Sequence, residues 1–304
     1  MFNDALPAMI RQLTVALLLA VTAAAASAKD AAQCGNILEA GKPAASRPAA
    51  NTKLLCYRAY AVLYSPQTRT ALWSAERLTA AAADAARTLP RDSDFYEEDR
   101  LPAGERAQRR DFVRSGYDRG HLAPSGDFGD KASQAESFSL ANVVPQNSTS
   151  NRRTWSHIET STRKLARQYG AIHVVTGPAF TNAARMLNGR VRIPDYLWKA
   201  IYVPGVGAAA YVVRNDATQA YSVISISELS RFTGIDPFPA LAPTKRGVAL
   251  DLPPPTPHPG EKAARRVAFA RLVGNDKAGD AAESLGGLVQ HAGALATLML
   301  AYAR

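Results

Sequence analysis

The run Tyr117-Asp118-Arg119-Gly120-His121 is followed by Asn151 and Glu159 in Asn151-Arg152-Arg153-Thr154-Trp155-Ser156-His157-Ile158-Glu159. A titratable base thus precedes a side-chain oxygen suited to a hard cation, with arginines around both. An unperturbed imidazole titrates near pH ~6.5, so His121 is substantially neutral at neutral pH and can deprotonate water. Arg119 and Arg91 supply guanidiniums, which fork onto two phosphate oxygens and keep their protons. Water attacking a phosphodiester needs this set: a base, positive charge at the pentacovalent centre and help for the leaving oxygen. Mg²⁺ suits the last task because it takes oxygen ligands and retains waters, so the amide oxygen of Asn151 is enough to place it, and Mn²⁺ can substitute.

Regular elements must hold these groups. A helix from about Asn151 to Tyr169, capped by Ser150 and ended by Gly170, sets Asn151, Trp155 and Glu159 at i, i+4 and i+8. They drift only about 80° and share a face, with Arg163 at its edge. The plainer alternative is an amphipathic helix with Trp155 in the core and Glu159 paired to Arg163; the upstream histidine motif favours the first.

A hairpin is expected over Tyr57 to Tyr64 and Thr70 to Leu78, turning at Ser65-Pro66-Gln67-Thr68, then a short helix over Ala80 to Arg87 and loops to residue 116. Phe138 to Pro145 reads as a strand that the proline ends, and Ala171 to Gly177 as a buried strand stopped at Gly177-Pro178. Strands at Tyr196 to Val203 and Ala208 to Arg214 precede a helix at Ile226 to Thr233 that Gly234 stops. The layout is mixed α/β without a regular βαβ repeat. Residues 251–304 read as a proline-rich linker, Pro253 to Pro259, and an Ala-rich helical tail with no assigned role. Of the other histidines, His157 falls opposite Asn151 and reads as a surface residue, and His173 as structural within a strand. His258 and His291, in linker and tail, read as unrelated to the chemistry.

Arg11, the apolar run Leu13 to Ala26 and Ala26-Ser27-Ala28 make residues 1–28 a signal peptide, since the run falls short of the ~20 residues a bilayer needs. Export to the periplasm or outside the cell follows, with no membrane anchor in the mature chain. Cys34 and Cys56, the only two cysteines, then suit one disulfide, with two separate buried thiols as the alternative. A net charge of +10 fits a merely soluble cationic protein or one drawn to a polyanion.

Tyr-Asp-Arg-Gly-His-Leu-Ala-Pro, Leu-Ala-Asn-Val-Val-Pro-Gln and Asn-x-x-x-Trp-x-x-x-Glu, in this order from roughly Cys56 to Phe238, resemble the DNA/RNA non-specific endonucleases. The resemblance implies an α+β, ββα-metal (His-Me finger) fold with a mainly antiparallel sheet, an endonuclease domain over 29–250, and one hydrated Mg²⁺. It implies His121 as general base, Asn151 as direct metal ligand, Glu159 as the carboxylate holding water around the cation, and Asn142 as an active-site asparagine. Arg119 matches the motif arginine, Arg163 the helix arginine near substrate, and Arg91 the upstream arginine, for which Arg100, Arg106 and Arg114 compete. Asp118 is expected to order the motif strand. The implied activity is hydrolysis of DNA and RNA with little sequence specificity, leaving 5′-phosphates, with a homodimer and an inhibitor protein as further possible partners. A catalytically inactive cationic nucleic-acid-binding protein on the same fold, and a phosphodiesterase acting on smaller substrates, stay open as alternatives.

Overall fold

In a computed structural model describing residues 34–38, 43–45, 51–91, 94–181 and 185–274, the alternating stretch after Lys53 forms three antiparallel strands. These are β1 (Lys53–Cys56), β2 (Tyr60–Ser65) and β3 (Thr70–Thr79). The second begins later than its apolar pattern suggests because residues 57–60 make a tight turn, the Tyr57 amide donating to the Tyr60 carbonyl at 2.9 Å. Helix α1 (Ala80–Ala85) follows, with Thr79 Oγ1 accepting from the Ala82 amide at 3.1 Å. Signal peptide and His291 lie outside the described residues, as does everything beyond Gly274.

Two strands of the active-site region pair with each other, β4 (Tyr117–His121) and β5 (Val143–Asn147). The strand expected over Phe138 to Pro145 is displaced: Leu140–Asn142 is a 3₁₀ turn, and Pro145 sits inside β5 opposite Arg119. A proline fits there because a two-stranded ribbon leaves one edge of β5 without ladder bonds. Between the two strands lie a 3₁₀ turn at Ser125–Asp127 and α2 (Lys131–Glu136).

Helical turns begin at Ser148, and the cap is Asn147 instead of Ser150: its Oδ1 accepts from the Thr149 and Ser150 amides at 3.0 and 3.2 Å. Asn151–Trp155 is wound as a π-helix, and α3 (Ser156–Tyr169) continues to Gly170, whose φ of 80° a glycine accepts freely. β6 (Ala171–Ala179) runs through Gly177-Pro178 without stopping. Then come β7 (Tyr196–Val203), β8 (Gly207–Arg214), β9 (Ala220–Ile224), α4 (Ile226–Thr233), β10 (Arg265–Arg266) and α5 (Phe269–Val273).

The main sheet has the order β10-β9-β8-β7-β6-β3-β2-β1, antiparallel throughout except for the β9–β10 pair. Its neighbours β3 and β6 are joined by one long excursion, closed at its base by the Ala80 amide donating to the Gly170 carbonyl at 2.8 Å. The ribbon and α3 belong to that excursion, so the sheet acts as a rigid platform under them.

Alternation along each strand splits the core between the two faces. Leu197, Ile201, Ile172 and Val174 face α3 through Trp155, Ile158 and Leu165. Trp198, Ala200 and Val175 face α4 and α5 through Ile226, Leu229 and Leu272. The mixed α+β layout with its mainly antiparallel sheet is the class the motifs implied.

The proline cluster packs along α3. Pro253 O accepts from Tyr211 Oη at 2.5 Å, Pro254 O accepts from Ser161 Oγ at 3.0 Å, and the Thr256 amide donates to Ser161 Oγ at 2.9 Å. This segment corrects the placing of His157, which is 1% exposed and not on the surface. Its Nε2 lies 2.6 Å from Glu261 Oε2, and its ring stands edge-on to His258 at 5.0 Å. A face that is polar on the isolated helix is covered by chain that comes about a hundred residues later. His173 is buried in β6, stacked on Tyr202. Cys34 and Cys56 form a disulfide with Cα atoms 5.2 Å apart, tying the chain near Cys34 to the sheet edge. Among the described residues no helix is long and apolar enough to cross a membrane.

Candidate active site

Arg91, Arg119, His121, Asn151, Glu159 and Arg163 line one cleft of about 470 Å³. Its walls are β4, the first turns of the helix, and the segment after α1. Six residues spread over more than seventy positions converge there because the ribbon and helix leave and rejoin the sheet together.

His121 ends β4 opposite Val143, 8% exposed, with the rings of Phe95 and Phe138 each 5.1 Å away. Burial, and then the charge of Arg91, hold its pKa down at about 3, because a cationic imidazole would sit dry beside a guanidinium. The ring is therefore neutral at neutral pH. Its Nε2 is buried with no hydrogen-bond partner among the described residues.

The motif glycine has a steric reason. A Cβ on Gly120 would stand 2.1 Å from Gln146 Oε1 and 2.6 Å from Gln146 Cβ, since the buried Gln146 side chain lies across the ribbon there.

Asn151 has its amide fixed by a neighbour. Its Nδ2 donates to Asp118 Oδ2 at 3.0 Å, and only the NH₂ end of an amide can face a carboxylate, so Oδ1 is left for the cleft. Arg152 clamps the same carboxylate from the other side at 2.9 and 2.8 Å, and Arg152 and Asn151 together keep the Asp118 pKa low against its partial burial. Asp118 thus orders the metal-ligand candidate more directly than it orders the strand.

Glu159 has no hydrogen-bond partner among the described residues and borders the cleft. Desolvation raises its pKa to about 7, against the pull of Lys199, Arg163 and Arg91. Arg163 is held by Asp127, Nη1 to Oδ1 at 2.9 Å, and by Thr160 Oγ1 at 3.2 Å. Arg119 lies 5.4 Å over the Phe95 ring and Arg91 5.3 Å over Phe138, so aromatic faces hold both guanidiniums. Arg100 and Arg106 are engaged by Glu98 at 2.7 Å and by Asp99 at 3.0 Å, and neither these nor Arg114 lines the cleft.

Two of the expected residues do not line the cleft. Asn142 does not face the cleft: it is fully buried, its Oδ1 accepting from the Ala123 amide at 3.0 Å and its Nδ2 donating to Ala123 O and Ser137 O at 2.8 and 2.9 Å. It clasps the chain just after His121. Trp155 does not share the cleft face with Asn151 and Glu159; it is 1% exposed in the core, because the π-wound turn between Asn151 and Trp155 breaks the i, i+4 spacing and the indole is driven inward.

Beneath the cleft lies a charged layer that sequence reasoning missed. Lys199 is fully buried and donates to Thr176 Oγ1 at 2.7 Å and to the carbonyl of Leu122, the residue after His121, at 3.2 Å. Glu76 and Asp127 are 3% and 2% exposed, and each leaves one carboxyl oxygen without a partner. Burial and then the Asp127 charge push the Glu76 pKa well above the usual carboxylate range. The one sequence signal was a lysine inside the apolar run Leu197-Trp198-Lys199-Ala200-Ile201.

The mixed α+β fold, with its mainly antiparallel sheet and the ribbon and helix that meet at the cleft, is that of a ββα-metal nuclease. A solved structure of an EndoG/EndoGI complex shares the fold, with a TM-score of 0.62 at 24% identity over 70% of this chain and 94% of that chain. Nuclease C1 of Cunninghamella echinulata var. echinulata is 32% identical over 56% of this chain and 70% of its own length. The nuclease of a Nostoc species is 31% identical over 64% of this chain and 78% of its own. The DNA/RNA non-specific endonuclease profile matches residues 44–244, and the chain belongs to that family.

Proposed function

We propose that this nuclease is an exported, divalent-cation-dependent endonuclease that hydrolyses both DNA and RNA with little sequence preference and leaves 5′-phosphate ends. The observation that carries the reading is the pairing in one cleft of a neutral, buried imidazole at His121 with an amide oxygen at Asn151 that Asp118 leaves unengaged.

The residues present fit a hard cation: the Asn151 oxygen and the unpartnered Glu159 carboxylate are both oxygen donors bordering the cleft. Asn151 would ligate Mg²⁺ directly, with Mn²⁺ able to replace it, and Glu159 would hold the surrounding water. When bound, the cation supplies charge for the leaving 3′-oxygen.

His121 takes the proton of the attacking water, its ring being neutral at neutral pH because its pKa is held at about 3. Arg119, Arg91 and Arg163 bind the scissile phosphate and stabilise the charge of the pentacovalent centre. These contacts are to phosphate, so they carry little sequence information and weaken as salt rises. The signal segment at 1–28 and the Cys34–Cys56 disulfide support a secreted or periplasmic location. A homodimer, and an inhibitor protein of the kind in the EndoG/EndoGI complex, are further partners to test.

Supercoiled plasmid and total RNA incubated with the mature chain, in Mg²⁺ and in EDTA, beside His121→Ala, test the proposal. Loss of both substrates in Mg²⁺ alone, abolished by the substitution, is expected. Binding without cleavage in every condition would move the assignment to an inactive nucleic-acid-binding protein.

A further inference from the structure

Ser156 lines the cleft beside Asn151, Glu159 and Arg163, although the i, i+4 spacing of an ordinary helix gives that face to Trp155. The winding accounts for the exchange. Asn151–Trp155 is π-wound, and i→i+5 bonding brings the fifth residue onward, Ser156, to the face of Asn151. Regular winding resumes in α3, where Glu159 follows Ser156 at i+3 and Arg163 follows Glu159 at i+4, so all stay on one face. The hydroxyl therefore falls between Asn151 and Glu159 along the helix.

Its partner comes from outside the family's matched region of 44–244. Ser156 Oγ lies 2.7 Å from Nε2 of His258, in the proline-rich segment that packs along α3. That imidazole is fixed in turn. It stands edge-on to His157 at 5.0 Å, His157 Nε2 is 2.6 Å from Glu261 Oε2, and the Glu261 amide donates to the His258 carbonyl at 3.0 Å. Whichever of the two atoms donates, the bond sets the rotation of the hydroxyl and leaves its oxygen at least one lone pair for the cleft.

We propose that Ser156 is a further residue of the cation site, its oxygen accepting a hydrogen bond from a water of the hydrated divalent cation, and that His258 is the positioning residue that aims it. This rests on the nuclease reading. Mg²⁺ keeps several of its waters, and the acceptors around those waters tune how tightly the ion is held. A hydroxyl between Asn151 and Glu159 adds one such acceptor without adding charge. The segment after the matched region thereby contributes to the site through one side chain.

Calorimetric titration of the full, nucleic-acid-free chain with Mg²⁺ tests this, beside Ser156→Ala, His258→Ala, the double variant and Thr256→Val. The last removes a contact of the same segment with Ser161 that lies outside the cleft lining. The expected result is a Mg²⁺ dissociation constant about 10-fold higher in Ser156→Ala and several-fold higher in His258→Ala, with the double variant no weaker than Ser156→Ala. Thr256→Val binds Mg²⁺ as the wild type does. Unchanged binding in Ser156→Ala overturns the proposal, and additive losses in the double variant overturn the role of His258. Equal losses in Thr256→Val and His258→Ala do the same, by assigning the effect to docking of the whole segment. Affinity for a single strand in EDTA is the second arm: a loss there in Ser156→Ala, with Mg²⁺ binding intact, puts the hydroxyl on phosphate and overturns the proposal. If the wild type cleaves plasmid in any of these cases, the nuclease reading stands without it. A wild-type chain that neither binds Mg²⁺ nor cuts polymer removes both.

Discussion

Asn151 donates its side-chain amide hydrogen to Asp118 Oδ2 at 3.0 Å, joining the first turns of the helix to the motif strand. A carboxylate outside the cleft lining thereby decides which end of the amide faces the cleft. Replacing Asp118 with Ala frees that rotation. The Mg²⁺ concentration for half-maximal cleavage should rise about 10–100-fold, while the rate at saturating Mg²⁺ falls much less. Equal metal dependence of the variant and wild type would show that Asp118 does not orient the ligand.

Glu159 makes the metal-free site proton-loaded. Its pKa is raised from 4.5 to about 7, so between these values the folded chain binds more protons than the unfolded one. This group therefore stabilises the fold below its ordinary range and loses that contribution as pH rises through about 7. A divalent cation reverses the preference by favouring the carboxylate. Adding Mg²⁺ near pH 6.5 in weak buffer should release up to about one proton per chain, and Glu159→Gln should release far less. No proton release from the wild type would contradict the raised value.

His121 runs the opposite way. Its folded pKa is depressed from 6.5 to about 3, so between these values the unfolded chain takes up the extra proton and stability falls as pH falls. The contribution to the slope approaches about 1.4 kcal/mol per pH unit. Urea unfolding of metal-free His121→Asn across that window should be less acid-sensitive than wild type by roughly this slope, and parallel curves would rule out a buried neutral ring.

Lys199 is fully buried in a layer that also holds Glu76 and Asp127, the latter paired with Arg163. Lys199→Met leaves those carboxyls without it and releases the Leu122 carbonyl, which should destabilise the chain by about 3–5 kcal/mol. Adding Glu76→Leu to the same chain should restore part of the loss. Additive effects of the two substitutions in thermal unfolding would argue against their coupling.

Gly120→Ala tests the ribbon. The new methyl must displace the Gln146 side chain it meets at 2.1 Å, at a cost of about 1–3 kcal/mol from overpacking, and should lower cleavage by moving His121. Wild-type activity and melting temperature in this variant would show that the ribbon absorbs the methyl.

Local chemistry was legible in the residues themselves. Types and spacing in Asp118 to His121, Asn151 and Glu159 named a base, a cation ligand and a carboxylate, and periodicity placed most strands and the helix ending at Gly170. Those properties depend on neighbours in the chain, which a sequence displays. What lay beyond it came from contacts between distant segments. The role of Asn142 as a clasp depends on Ala123 and Ser137, and the burial of His157 on Glu261 and His258. That Arg91 lines the cleft while Arg100 and Arg106 are held elsewhere by Glu98 and Asp99 depends on how the loop folds back. Lys199, Glu76 and Asp127 become one layer only when β7, β3 and the turn after β4 meet under the helix. Burial and partner choice set each pKa and each side-chain orientation, and both are properties of the packed molecule.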